Sequence, residues 1–163
     1  MTTVLKAMKT TLIVMALLLT SAGVLSKAPS LSVEVTLTEG EHSRDSNSTT
    51  TSITLRGRRL HYVKSHAGYR SGRQPPLDKS VVVPEVDLER IRHLLAEKDL
   101  LTSRSSISPT DQAGSYVEIE ARIGAHKKKS TLKFAAMRKE ADRDSLYAGL
   151  RALVDELEQI VNP

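Results

Sequence analysis

The 163-residue chain has no cysteine, no tryptophan and one phenylalanine, Phe134, and aromatic residues make up 3% of it. Without cysteine there is no disulfide staple, no thiol nucleophile, no thiolate metal ligand and no residue to carry a lipoprotein's lipid. With so few aromatic rings, a sugar-stacking cleft and a platform for unpaired bases both lack their usual side chains, which argues against nucleic acid as a partner. The core must be aliphatic and held by apolar packing alone.

Catalytic patterns are also missing. The five histidines, His42, His61, His66, His93 and His126, fall in separate segments with no metal-ligand spacing. No serine lies in Gly-x-Ser-x-Gly. Ser65 and His66 are neighbours on a strand pattern, so they point to opposite faces. Glu118 and Glu120 share one strand face, where a solvated pair explains them without a catalytic role. No catalytic, cofactor-binding or metal residue is predicted, and no cofactor.

The first 28 residues carry the most information. Lys6 and Lys9 precede an apolar run from Thr11 to Leu19, and small residues follow in Thr20-Ser-Ala-Gly23 and Ser26-Lys-Ala28. A basic start, a short apolar middle and a small-residue exit describe a secretory signal peptide, with cleavage near Ala22 or Ala28. A retained membrane anchor over residues 11–26 is the alternative, although a span needs roughly 18 to 20 mainly apolar residues. An ordinary buried helix is the third reading. Export places the protein in the periplasm or outside the cell. Lys6, Lys9 and Lys27 supply three of the five net positive charges, so residues 29–163 carry +2.

Those remaining residues suffice for one domain. Leu31, Val33, Val35 and Leu37 alternate with polar residues and predict a half-buried strand. Glu39 to Ser52 reads as a polar linker, so 29–52 is taken as a strand plus linker and 53–163 as the compact domain. Ile53 and Leu55 are out of phase with Leu60 and Tyr62, and Gly57 marks the reset, as a bulge or a hairpin turn. Ser65 to Lys79 reads as an exposed loop and Ser80 to Pro84 as a short edge strand. A helix is predicted from Asp87, its cap, to Leu100 on the stripe Leu88, Ile91, Leu94 and Leu95. Val117 to Ile123 and Thr131 to Phe134 form a hairpin, and Asp144 to Val161 a broad-faced amphipathic helix. The fold class is α+β: an antiparallel sheet of about four to five strands with two amphipathic helices on one face, preceded by the signal-peptide helix.

Two basic runs stand out, Arg56-Gly-Arg58-Arg59 and His126-Lys127-Lys128-Lys129. If the fold unites them, Arg56, Arg58, Arg59, Lys127, Lys128 and Lys129 form an anion- or partner-binding patch. Lysines that keep a hairpin tip soluble are the plainer explanation. Asn47-Ser-Thr49 matches an N-glycosylation acceptor, relevant only in a eukaryotic secretory host.

The order of Thr51 to Gly57, Leu60-His-Tyr-Val63, the helix Val86-Asp-Leu-x-x-Ile-x-x-Leu-Leu95 and Asp111-x-x-x-Ser-Tyr-Val-Glu-Ile-Glu120 resembles a family of small exported bacterial domains of unknown function. The resemblance covers roughly Ile53 to Val161, departs from the family at the basic loop Ser65 to Lys79, and implies an envelope location and an architecture but no catalytic residues. The sequence thus predicts an exported, non-enzymatic binding or accessory domain of the cell envelope, facing an anionic envelope component or an acidic protein. The alternative is a small secreted hydrolase whose site is assembled from scattered polar residues.

Overall fold

Four apolar side chains, Leu31, Val33, Val35 and Leu37, are almost completely withdrawn from water at the middle of the molecule. They belong to, or immediately precede, β1 (Ser32–His42), which pairs antiparallel with β2 (Asn47–Arg56) on one side and β6 (Gly114–Ala125) on the other. The computed structural model describes residues 30–42, 47–68, 75–108 and 113–162. The predicted leader, with its candidate cuts at Ala22 and Ala28, lies outside them.

The fold is mixed α+β. One seven-stranded sheet has the order β4-β3-β2-β1-β6-β7-β5, with β3 at Arg59–Gly68, β4 at Leu77–Val82, β5 at Ser106–Ile107 and β7 at Lys128–Met137. All neighbours are antiparallel except β5 and β7. Among the described residues, three helices accompany it: α1 (Glu85–Glu97), α2 (Arg138–Ala141) and α3 (Ser145–Val161). Sequence reasoning anticipated four to five strands and two helices. The Ser52–Lys64 stretch resolves into parts of two strands, β2 and β3, rather than one broken strand, β5 adds a strand of two residues, and the extra helix is the single turn of α2.

The polar linker assigned to Glu39–Ser52 is a correction of particular weight. Thr38, Glu39 and Gly40 face Thr50, Thr49 and Ser48 in continuous register, so most of this segment is paired strand. Threonine suits a pleated surface, and where neither face is fully buried no apolar alternation betrays the strand. The same applies to Ser65–Gly68, which extends β3 rather than opening a loop, and to Leu77–Lys79, which belongs to β4. Gly57, at φ +61°, makes the β2–β3 connection a tight hairpin turn, the second of the two readings offered for it.

One face of the sheet is apolar and the other open to water. Val33, Val35, Ile53, Leu55, Leu60, Tyr62, Ile119, Ile123, Leu132 and Phe134 point to the helix side and join Leu88, Ile91, Leu95, Leu150, Leu153 and Leu157 in one buried cluster. The last helix follows its predicted stripe, and Asp144 caps it by accepting from the amides of Leu146 at 2.8 Å and Tyr147 at 3.2 Å. The first helix starts two residues earlier than expected. Pro84, not Asp87, is its N-cap, and no side chain caps it. Asp87 instead lies in the first turn, where its charge favours the helix dipole.

A polar contact joins the sheet to α3. The Tyr62 hydroxyl donates to Glu158 Oε1 at 2.9 Å. Burial first, then the hydrogen bond to Glu158 and its charge, push the Tyr62 phenol up to about 12. The folded state therefore holds this proton more tightly than an unfolded tyrosine at about 10. Its stabilising contribution is complete below pH ~10 and fades as the pH rises through about 12. We expect Tyr62→Phe to remove that part of the alkaline stability loss and to cost about 1 kcal/mol at neutral pH, measured by denaturant titration across pH. Asp144→Ala should cost about 1 kcal/mol in the same assay, without pH dependence in the alkaline range.

Candidate functional site

The β2–β3 turn and the β6–β7 turn emerge at the same end of the sheet, with the start of β1 between them. Register places Arg59 opposite Arg56, Arg56 opposite Ser32, Ser32 opposite Gly124 and Gly124 opposite Lys129. These five positions share the open face and form one row across five strands. At about 4.8 Å per strand spacing, Arg56 and Lys129 stand roughly 14 Å apart and the whole row spans roughly 19 Å. The two basic runs, distant in sequence, therefore border a single rim.

Each predicted residue contributes differently. Arg56 Nη2 donates to Glu34 Oε1 at 2.7 Å, and Arg122 lies 3.9 Å from the other carboxylate oxygen. The Arg56 hydrogen bond holds the Glu34 carboxyl below its usual range, opposed by partial desolvation and aided by the charges of Arg56 and Arg122. Arg58, beside Gly57 in the turn, donates from Nε to the Val83 carbonyl at 3.1 Å and so ties the turn to the chain leading into α1. Among the described residues, no carboxylate pairs with Arg59, Lys127, Lys128 or Lys129. Lys127 lies in the β6–β7 turn with His126, whose φ of 55° puts it in the left-handed region. Lys128 shares the helix-side register of Ala125, and Lys129 that of the open face. All three lysines are exposed.

Close approach shapes the floor of the rim. A Cβ added to Gly124 would lie 2.6 Å from Ser32 Oγ, so this glycine lets the serine lie against β6. Ser32, Glu34, Arg122, Lys129 and Thr131 surround a shallow open hollow there. Further along the open face the charges neutralise one another: Glu120 pairs with Arg122 at 3.2 Å and with Lys133 at 3.5 Å. Between β1 and β3 that face is mostly hydroxyl-bearing, with Thr36, Thr38, Thr50, Ser52 and Thr54. The uncompensated positive charge thus gathers at the rim.

Sequence reasoning missed one contact. His61 Nε2 lies 2.8 Å from Asp78 Oδ1 across the β3–β4 pairing. Their side chains are 51% and 63% exposed, so the pair stands in water without the enclosing walls that a nucleophile and its base require. Only the β3–β4 register could have revealed it, and that register is hidden in a segment read as loop. His66 Nδ1 is 2.9 Å from Thr49 Oγ1, and His93 sits exposed on α1, 3.8 Å from Glu97. Among the described residues, no three histidine or acidic side chains gather to hold a metal ion. Asn47 of the glycosylation triplet is exposed at the start of β2.

No family model matches the chain, and no curated protein matches it at a significant level. Its class is therefore defined by its own architecture: a seven-stranded, largely antiparallel sheet with helices on one face and a basic rim at one end. Among the described residues, no helix is long and apolar enough to cross a membrane.

Glu34 is the one carboxylate that faces the rim from β1 and engages Arg56. Removing its charge with Glu34→Gln should release Arg56 and raise the salt concentration needed to elute the protein from an immobilised polyanion. An exposed ion pair of this kind contributes little to stability, so the melting transition should barely move.

Proposed function

We propose that this protein is an exported, non-enzymatic binding domain whose basic rim captures an anionic component of the cell envelope. The observation that carries this reading is the common row of Arg59, Arg56 and Lys129 at one end of the sheet, with Arg58, Lys127 and Lys128 beside it. Cations from two hairpins converge on one rim, and five of the six face no described acidic partner. An open rim of this kind attracts and orients a charged partner without enclosing it. The leader of residues 1–28 supplies the export part of the reading, and the resemblance to small exported bacterial domains agrees with it.

Charge reversal of Lys127, Lys128 and Lys129 to glutamate should abolish retention on an immobilised polyanion at low salt, while leaving the melting transition within about 0.5 kcal/mol of the parent's. Retention unchanged across a salt series would refute the rim. Export has its own measurement. Mass spectrometry of the protein recovered from the envelope should find a chain starting near Gly23 or Pro29, and a start at Met1 in the cytoplasmic fraction would overturn that part.

A further inference from the structure

We infer that the basic rim seats the domain on an anionic lipid surface, with Val82 and Val86 entering the headgroup region beside the arginines and lysines. The inference rests on the reading of the rim as an anion-binding site and names lipid headgroups as the anion.

The rim is apolar as well as basic. Among the described residues, Val82 and Val86 are two of four large hydrophobic side chains left in water, at 69% and 66% exposure. Val82 stands opposite Arg59 in the β3–β4 register and so ends the rim row. Val86 lies in the first turn of α1, just beyond Pro84, which is also exposed. A soluble polyanion would satisfy the arginines and lysines and leave both valines in water. A bilayer interface satisfies both kinds of group, charge against headgroup phosphate and apolar surface against the acyl boundary.

The shape of the rim fits a planar partner better than a small ligand. The cations are spread across roughly 19 Å of strand ends, and the hollow between Ser32 and Lys129 is shallow and open. Small-molecule sites enclose most of their ligand, whereas this row can present every cation to a flat surface at once. Acidic groups on this side of the molecule are already occupied. Glu34 is held by Arg56 and Arg122, and Glu85, beside Val86, lies 3.1 Å from Arg92.

The course of the chain brings a membrane to this end. Ser32 stands in the rim row, and the Gly57 amide donates to the Leu31 carbonyl at 3.0 Å, so β1 begins at the rim. The apolar run ending at Leu19 is separated from β1 by residues 20–31. Fully extended, those residues reach at most about 40 Å. A bilayer that holds the run as a retained anchor therefore lies within that reach of the rim end.

The absence of tryptophan makes the test clean. The full chain carrying Val86→Trp is mixed with phosphatidylcholine vesicles with and without an equal share of phosphatidylglycerol, and tryptophan emission and quenching by brominated lipid are recorded. Lys139→Trp, in α2 at the opposite end of the sheet, is the control. The expected result is a blue shift and quenching for position 86 on anionic vesicles only, reversed by salt, with position 139 unaffected. Each cation near an anionic surface is worth about fivefold in partitioning. Adding Lys127→Gln, Lys128→Gln and Lys129→Gln to the reporter chain should therefore weaken the response about a hundredfold without moving the melting transition. Equal shifts at both positions, or a shift on neutral vesicles, would mean that the leader run alone drives association, and would overturn the inference. No shift at position 86, together with lysine-dependent retention on a soluble polyanion, would overturn the lipid assignment and leave the anion-binding reading standing. Loss of both responses would end both.

Discussion

Everything in this molecule hangs on the register of β1. Its odd-numbered residues from Val33 to Leu37 face the helices and its even-numbered residues face water, and both of its edges are paired along most of its length. A slip of one residue would exchange Val33 and Val35 for Glu34 and Thr36 in a core whose only buried polar residue, among those described, is Thr51. That penalty pins β1, and β1 in turn pins the β2–β3 hairpin on one side and the β6–β7 hairpin on the other. The alignment of Arg56, Ser32, Gly124 and Lys129 is thus a consequence of where Val33 and Val35 must go. The chemistry of the open face is placed by the packing of the buried one.

The core side of the design was legible wherever apolar periodicity had no competitor. The alternation of β1, the Val117–Ile123 strand and the stripe of the last helix all read directly, because each is half buried and half wet. Legibility failed where both faces of a strand are partly exposed. Thr38 to Gly40 and Ser48 to Thr50 carry no alternation, and only their pairing shows them to be strand. β5 is two residues held by β7 and by Ser105, whose hydroxyl accepts from the Lys133 amide at 2.9 Å, a tertiary bond that local sequence does not encode. The cationic residues could be named from sequence, but their convergence could not. It depends on β1 lying between β2 and β6, and strand order is decided by long-range pairing rather than by either hairpin.

Cysteine's absence explains why the helix layer is so thoroughly aliphatic. With no covalent staple, α3 must carry the sheet through Leu150, Leu153, Val154 and Leu157, all fully withdrawn from water. Gly149 lets this helix come close to the chain leaving α1, since an added Cβ would meet Leu100 at 3.1 Å and Lys98 at 3.3 Å. The Phe134 and Tyr147 rings, 5.3 Å apart, close the far end, where the Arg138 guanidinium lies over Tyr147. Polar ties between layers are few, and the Tyr62–Glu158 bond is one that spans sheet and helix. Burial makes such a bond costly to leave unmade, which gives it a say in how the layers align.

Stability and exposed positive charge are therefore written into different parts of the molecule. The rim cations are exposed, and apart from Arg58, which ties its turn to the Val83 carbonyl, those without a carboxylate partner contribute nothing to the core, so their charge can change with little effect on folding. Their positions cannot change so freely, because Gly57, Ser32 and Gly124 set the turn geometry and the close approach from which they project. Such a division permits the rim charge to vary by side-chain identity while the scaffold keeps the spacing constant. It also accounts for the local charge balance: Glu34 and Glu120 neutralise the middle of the open face through Arg122 and Lys133, and leave the positive field concentrated at the one end where strand β1 enters the domain.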